Sequence, residues 1–293
     1  MTSPKRAEPD RRAPLVKGTP AVSTLDLGRS VIMGVVNVTP DSFSDGGLWI
    51  DPGAAVAHCR TLIADGADIL DIGGESTRPG AEPVDAETQL ARVLPVIAAL
   101  RAAADTRHVV ISVDTTSAVV AAAAIAAGAD IINDISAFTF DSAMLPLLAE
   151  TDVAAVAMHT TGPPKSMQHQ LISGDIVATV ASFLRGRVMA CEAAGVDPTR
   201  LILDPGIGFG KTGADNIALL RATPTFVALG HPLLLGVSRK RFIGDITGRA
   251  PADREFGTAG AISVARALGA HIFRVHDVRA MRDALRVVDA LTT

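Results

Sequence analysis

The chain has 293 residues, of which 48% are hydrophobic and 20% are charged, so it can bury one large apolar core. Its 27 Lys and Arg residues against 31 Asp and Glu give a net charge of -4, which predicts no partnership with nucleic acid or an anionic membrane. No apolar run reaches the roughly 20 residues of a membrane helix. Cys59 and Cys191 have no metal-ligand or redox spacing, which is typical of a cytoplasmic protein.

The N-terminal segment 1–24 is rich in Pro, Arg and Lys and lacks the apolar stretch of a signal peptide. We therefore predict a flexible N-terminal tail over 1–24 and a single domain over 25–293.

From residue 31 onward, short β-branched runs alternate with longer stretches rich in Ala and Leu. The runs predict eight strands, at 31–36, 69–72, 109–113, 131–133, 153–158, 201–203, 233–236 and 271–275. The stretches predict helices at 54–64, 86–103, 117–127, 176–194, 258–268 and from 278 onward. Repeated strand–helix units over about 260 residues match the dimensions of a (β/α)8 TIM barrel, an α/β fold. An open, doubly wound sheet is the alternative, because strand count alone does not prove closure.

Polar residues stand where the predicted strands end, which in a barrel is the face that carries the active site. A single carboxylate there could simply cap a helix, but polar groups at eight strand ends converge on one place. Burying these polar groups costs free energy unless they bond to a polar ligand, to a metal ion or to one another. These strand ends include Asn37, Asp71, Asp114, Asn133, Asp134, His159, Asp204, Lys240, Arg274 and His276.

These polar residues form two chemical groups. One group suits a flat heterocycle with amino, ring N–H and carbonyl groups, between two apolar walls. It comprises Asp114, Asn133, Asp204 and Lys240, with Met158 and Phe209 as the walls. The other group suits an anion, and because Asn37 offers a hard oxygen, Mg²⁺ could join it to a polyphosphate. The anion group comprises Asn37, Arg78, Arg274 and His276. A heterocycle that carries a leaving pyrophosphate fits both groups.

Seven segments, in order along the chain, resemble the dihydropteroate synthase family, the pterin-binding enzymes of folate synthesis. They are NVTPDSFSDGG at 37–47, DIGGESTRPG at 71–80, ISVDT at 111–115, IND at 132–134, LDPGIGF at 203–209, SRKRF at 238–242 and RVHDV at 274–278. The resemblance implies that 6-hydroxymethyl-7,8-dihydropterin pyrophosphate condenses with 4-aminobenzoate to give 7,8-dihydropteroate and pyrophosphate. It also implies Mg²⁺ as cofactor, a dissociative SN1-like step, a homodimer and inhibition by sulfonamides.

The resemblance also implies residue roles, carried over by motif position. Asn37 would hold Mg²⁺, and Asp45 and Arg78 would close over the reacting end. The pterin set would be Asp114, Asn133, Met158, Asp204, Phe209, Lys240 and Arg274. The pyrophosphate set would be Asn37, Arg78, Arg274 and His276, and the 4-aminobenzoate set Phe43, Thr77, Pro79 and Arg241. Of these, Asp45, Arg78, Lys240 and Arg274 would serve the reaction itself.

Some questions stay open. Arg241 stands where some relatives have serine, so either its guanidinium or a backbone N–H at a helix start could bind the 4-aminobenzoate carboxylate. A corrinoid-linked methyltransferase domain would share the pterin pocket but would not need the pyrophosphate group. A catalytically silent pterin-binding paralogue is disfavoured because both loop motifs are intact. The segment 206–212 ends like a P-loop, but Pro205 replaces its first glycine, so we expect no nucleotide site there.

Overall fold

The computed structural model describes residues 21–39 and 52–292. The strands are β1 (Val31–Asn37), β2 (Ile69–Gly73), β3 (Val110–Asp114), β4 (Ile131–Asp134), β5 (Ala154–Met158), β6 (Leu201–Asp204), β7 (Leu234–Leu235) and β8 (Ile272–Val275). The α-helices are α1 (Ala21–Thr24), α2 (Pro52–Ala64), α3 (Ala86–Ala102), α4 (Ala118–Ala127), α5 (Met144–Ala149), α6 (Ile176–Ala193), α7 (Gly213–Arg221), α8 (Thr223–Val227), α9 (Arg241–Thr247), α10 (Glu255–Ala267) and α11 (Val278–Thr292). Short 3₁₀ turns lie at Met167–His169, Pro198–Arg200 and Pro251–Asp253.

All strand pairings are parallel, in the order β6-β5-β4-β3-β2-β1-β8-β7. The two end strands meet through a parallel bridge between Leu203 and Leu233, where the Leu203 N–H donates to the Pro232 carbonyl at 2.9 Å. The sheet therefore closes, which confirms the predicted (β/α)8 barrel over the open doubly wound sheet.

The strands are apolar on both sides because a parallel barrel buries both faces. Val31 and Met33 of β1 belong to an inner cluster, whereas Ile32 and Val36 pack outward against the helices. This alternation follows from the two-residue period of a strand. Every predicted strand is present, with ends that differ by at most one residue.

The six predicted helices are also present, with ends that differ by up to three residues. Their starts have clear local causes: Asp85 caps α3 by accepting from the Thr88 N–H at 2.8 Å, and Asp175 caps α6. Besides α1, four further helices in the described residues were not predicted: α5, α7, α8 and α9. They are five to nine residues long, too short for a periodic apolar pattern to stand out.

The residues just before the predicted domain boundary at 25 pack on the barrel. Residues 21–24, placed in the tail by the sequence, form α1, and Val22 is buried against the inner cluster together with the half-buried Leu25 and Leu27. The rest of the predicted tail, 1–20, lies outside the described residues. Within the described ranges, no helix is both long and apolar enough to cross a membrane.

Candidate functional site

The carboxyl ends of the strands surround one buried carboxylate, Asp71 at β2, which has no exposed surface. Asp71 accepts hydrogen bonds from Ser112 Oγ at 2.6 Å, from Asn133 Nδ2 at 3.2 Å and from Arg274 Nε at 2.6 Å. Three neighbouring strands and β8 are thereby tied together at the site. The sequence analysis placed Asp71 among the strand ends but assigned it no role. The only signal for a role in the site was that Asp71 is the first residue of the motif at 71–80.

Asp114, at the end of β3, is the second buried carboxylate. Its Oδ2 accepts from Arg274 Nη2 at 2.9 Å, while its buried Oδ1 has no hydrogen-bond partner among the described residues. Burial raises the pKa of Asp114 to about 7, the positive charge of Arg274 lowers it, and Asp71 raises it. A buried acceptor left open in this way favours a ligand that donates an N–H.

Asp204, at the end of β6, and Lys240, after β7, form the other side of the site. Asp204 Oδ1 accepts from the Gly206 N–H at 2.7 Å, and burial raises the pKa of this carboxyl to about 6. Burial lowers the pKa of the half-buried Lys240 to about 8, with Arg274 as a further cause. Lys240 Nζ lies 4.2 Å from the ring centroid of Phe209, a cation–π contact.

The two predicted apolar walls lie together. Met158 and Phe209 belong to one small buried cluster, which Ile135 and Met167 complete. The sequence did not predict the last two residues, because they come from loops whose position depends on the tertiary fold. The cluster supplies an apolar surface next to the polar groups of Asp204 and Lys240.

A buried lysine supports this wall from behind. Lys211 Nζ donates to the carbonyls of Phe209 at 3.0 Å and of His159 at 3.3 Å, and lies 3.0 Å from His159 Nδ1. Burial lowers the pKa of Lys211 to about 7 and that of His159 to about 3, so the imidazole is neutral. In the sequence, Lys211 appeared only as part of the failed P-loop match. In the structure, Lys211 connects two loops of the site.

The loop after β6 also approaches the backbone after β5 very closely. Gly206 has φ +70°, and a Cβ atom there would lie 1.8 Å from the His159 carbonyl oxygen. Only glycine permits both the left-handed backbone and this approach.

The predicted anion group lies at the same end of the barrel. Asn37 is half-buried at the end of β1, and Arg78 is exposed in the loop after β2. His276 Nδ1 lies 3.0 Å from Ser238 Oγ, whose hydroxyl also accepts from the His276 N–H at 3.3 Å. Burial lowers the pKa of His276 to about 3, and the charges of Arg274, Arg239, Arg78 and Lys240 lower it further. His276 is therefore a neutral hydrogen-bond donor or acceptor rather than a cation.

The predicted 4-aminobenzoate group is only partly described. Thr77 is half-buried and Pro79 is exposed in the loop after β2, which the Gly80 N–H joins to the Pro164 carbonyl at 2.9 Å. The Arg241 side chain is 92% exposed and pairs with Asp245 at 3.7 Å. Phe43 and Asp45 lie outside the described residues.

Comparisons with known proteins show which proteins this chain is similar to. The profile of the family described as pterin binding enzyme matches residues 33–276. A dihydropteroate synthase of Synechocystis is 46% identical over 264 residues, which cover 90% of this chain and 90% of that protein. The solved structure of Xanthomonas albilineans dihydropteroate synthase with 4-aminobenzoic acid has a TM-score of 0.85 and 48% identity, and covers 92% of this chain and 95% of that chain. That of Yersinia pestis dihydropteroate synthase with a sulfonamide drug has a TM-score of 0.85 and 40% identity, with coverage of 91% and 96%.

Proposed function

The chain belongs to the dihydropteroate synthase family of pterin-binding enzymes, a family of transferases, and from this membership we propose the reaction that it catalyses. It condenses 6-hydroxymethyl-7,8-dihydropterin pyrophosphate with 4-aminobenzoate and releases 7,8-dihydropteroate and pyrophosphate. The observation that carries the proposal is the open Oδ1 of Asp114, buried beside the polar groups of three other strand ends.

The pterin would lie with its polar edge toward Asp114 and Asp204 and one face on the apolar cluster of Met158 and Phe209. The carboxylates would accept from the ring N–H and amino group, since each is buried and needs donors. Asn133 and Lys240 would donate to the ring nitrogen and carbonyl acceptors. Arg274, held by Asp71 and Asp114, presents its guanidinium plane and remaining N–H groups to the ring and to the phosphates.

The pyrophosphate would be held by Arg78, Arg274 and His276. The two guanidinium groups supply positive charge, whereas the neutral His276 supplies one hydrogen bond. Anion binding would raise the pKa of His276, because a nearby negative charge favours the imidazolium.

Mg²⁺ would be held by Asn37 together with oxygens of the substrate. The described residues contain no cluster of three or more His, Cys, Asp or Glu side chains suited to a metal ion. A single amide oxygen plus pyrophosphate and water fits the preference of Mg²⁺ for oxygen ligands that come partly from the substrate. When bound, the ion offsets charge on the leaving pyrophosphate.

The chemistry would be dissociative. The bond between the pterin methylene carbon and the pyrophosphate oxygen breaks, its electron pair leaves with pyrophosphate, and the cation is delocalised into the electron-rich ring. The amine nitrogen of 4-aminobenzoate then forms the new C–N bond and loses a proton to solvent. No covalent enzyme intermediate is required. Cys59 and Cys191 are buried thiols whose pKa values burial raises to about 12 and about 11, so neither is an active nucleophile.

Thr77 and Pro79 on the loop after β2, together with Phe43 and Asp45 of the first motif, would bind 4-aminobenzoate. Arg241 or a backbone N–H at the start of α9 would meet its carboxylate. Because the relatives named above are seen with 4-aminobenzoic acid and with a sulfonamide, sulfonamides should compete with this substrate here.

Release of pyrophosphate tests the proposal. Protein is mixed with the pterin pyrophosphate, 4-aminobenzoate and Mg²⁺, and sustained release of pyrophosphate together with 7,8-dihydropteroate should require all three. Pterin binding without pyrophosphate release would instead support a silent paralogue. Methyl transfer from methyltetrahydrofolate to a corrinoid would support the methyltransferase alternative, and neither result is expected.

We also propose a cytosolic homodimer. Three large apolar side chains on α9 and α10 are strongly exposed: Ile246 at 65%, Phe256 at 93% and Val264 at 61%. They flank an apolar groove between α7, α9 and α10, a surface that a second copy would cover. Sedimentation should give a dimer that Val264→Asp dissociates, and a monomeric wild type would contradict this.

The two free, buried cysteines are consistent with a reducing compartment.

A further inference from the structure

The residue before Lys240 has an unusual backbone. Arg239 has φ +59°, in the left-handed region that residues with a side chain seldom adopt. A conformation of this kind persists only where neighbouring groups hold it, and it occurs often at functional sites. Lys240 follows directly and is the N-cap residue of α9, so the Arg239 backbone sets the direction in which the Lys240 side chain leaves the chain.

Three residues at the start of α10 contact Arg239, two of them through its backbone. Thr258 Oγ1 accepts from the Arg239 N–H at 3.1 Å, and Glu255 Oε1 lies 2.8 Å from Arg239 Nη2. Arg254 Nη1 donates to the Arg239 carbonyl at 3.0 Å and to the Lys240 carbonyl at 3.4 Å. Both backbone polar groups of Arg239 are therefore bonded to side chains of one neighbouring segment.

Arg254 also contacts α9 and the residues that follow it. Arg254 Nε donates to the Arg249 carbonyl at 3.0 Å, beyond the end of that helix. A Cβ atom at Gly244 would lie 2.2 Å from Arg254 Nη2, so the guanidinium packs directly on the helix backbone. Thr258 is buried, with 1% of its surface exposed. Segment 254–258 and the loop that carries Lys240 thus form one tightly joined unit.

We propose that Arg254, Glu255 and Thr258 are positioning residues for pterin binding, because they hold Lys240 over the ring of Phe209. The inference rests on the proposed function for the identity of the ligand. None of the three needs to touch the substrate. Arg254 and Thr258 act through the Arg239 backbone, which they keep in its left-handed conformation, and Glu255 acts through the Arg239 guanidinium.

The sharpest test uses two substitutions at Thr258. Thr258→Val keeps the shape but removes the acceptor for the Arg239 N–H, whereas Thr258→Ser keeps a hydroxyl. Thr258→Val should weaken binding of 6-hydroxymethylpterin between about tenfold and a hundredfold and raise KM for the pterin pyrophosphate in parallel. Thr258→Ser should restore most of the affinity. Deuterium exchange at residues 238–241 should accelerate in Thr258→Val without any ligand.

A matched control separates positioning from stability. Arg101 also donates to three backbone carbonyls, those of Arg107, Val109 and Gly128, but at the amino end of the barrel. Arg101→Lys and Arg254→Lys should both lower Tm, and only Arg254→Lys should weaken pterin binding. Equal pterin affinity in wild type, Thr258→Val and Arg254→Lys would overturn the inference. A wild type that binds no pterin would instead overturn the proposed function, and unchanged exchange at 238–241 would independently refute the backbone restraint.

Discussion

Arg274 Nε donates to Asp71 Oδ2 at 2.6 Å, an ion pair that reaches across β1 from β8 to β2. Asp71 has no exposed surface, and the Arg274 side chain is only 21% exposed. A buried pair of this kind orients the guanidinium, but it is costly to break on one side because the other charge is left buried.

Asp71→Asn should therefore both destabilise the protein and impair the reaction. We expect a loss of about 3 kcal/mol in the free energy of unfolding, since the charge of Arg274 loses its main partner. KM for the pterin pyrophosphate should rise because only Asp114 then holds the guanidinium by an ion pair. Denaturant unfolding and steady-state kinetics measure the two effects. Ser112→Ala removes only one hydrogen bond to Asp71 and should cost about 1 kcal/mol. Equal losses in the two variants would contradict the central place of the ion pair.

Asp204→Ala and Lys240→Met should each weaken pterin binding. Each substitution removes a hydrogen bond to a charged group, worth about 1.5–3 kcal/mol, which corresponds to about tenfold to a hundredfold in Kd. Titration calorimetry with 6-hydroxymethylpterin gives the change directly. Arg60→Ala breaks only an exposed pair with Asp105 and serves as the control, with unchanged affinity. Retained affinity in both site variants would refute the assignment of the pocket.

Pterin affinity should depend on pH with two limbs. Burial raises the pKa of Asp114 from 3.8 to about 7, so between these two pH values the folded protein keeps a proton that the unfolded chain has lost. The free energy of unfolding therefore falls as the pH rises through this range. A ligand that donates N–H groups needs the ionised carboxylate, so affinity should rise with pH up to about 7. It should fall again above about 8, where Lys240 loses its proton.

Calorimetry across this pH range, in buffers of different ionisation enthalpy, measures both the affinity and the protons released. Asp114→Asn should flatten the acidic limb and leave the alkaline limb in place. An acidic limb that survives in this variant would assign the titration to another group, such as Asp204, whose pKa burial raises to about 6.

Gly206→Ala should be far more damaging than Gly248→Ala, although the two glycines have φ of +70° and +71°. Alanine at Gly206 also meets the His159 carbonyl oxygen at 1.8 Å, whereas nothing lies within 4 Å of a Cβ atom at Gly248. We expect about 1 kcal/mol for Gly248→Ala from backbone strain alone, and more than about 3 kcal/mol for Gly206→Ala. Thermal unfolding of both proteins gives the comparison, and similar Tm values would show that the loop after β6 can move away.

Much of the barrel could be predicted because its signals are local. Apolar β-branched runs such as Val31–Asn37 form strands wherever both faces are buried, and glycines after helices mark the turns between units. The short helix α9 could not be predicted in this way. Its seven residues carry no periodic pattern, and its start depends on the Arg239 backbone, which Arg254 at the start of α10 holds through a side-chain hydrogen bond.

The sequence by itself determined which polar residues stand at the end of each strand. Through its motifs it also indicated the family and the set of site residues to consider. Only the tertiary structure decided how those residues pair. Asp71 and Arg274 are 203 positions apart, and their contact exists because β1 brings β2 and β8 together on either side of it. Lys211 and Arg254 act on backbone carbonyls, whose positions no side-chain pattern encodes. Their roles became visible only once the closed barrel fixed the loops around them.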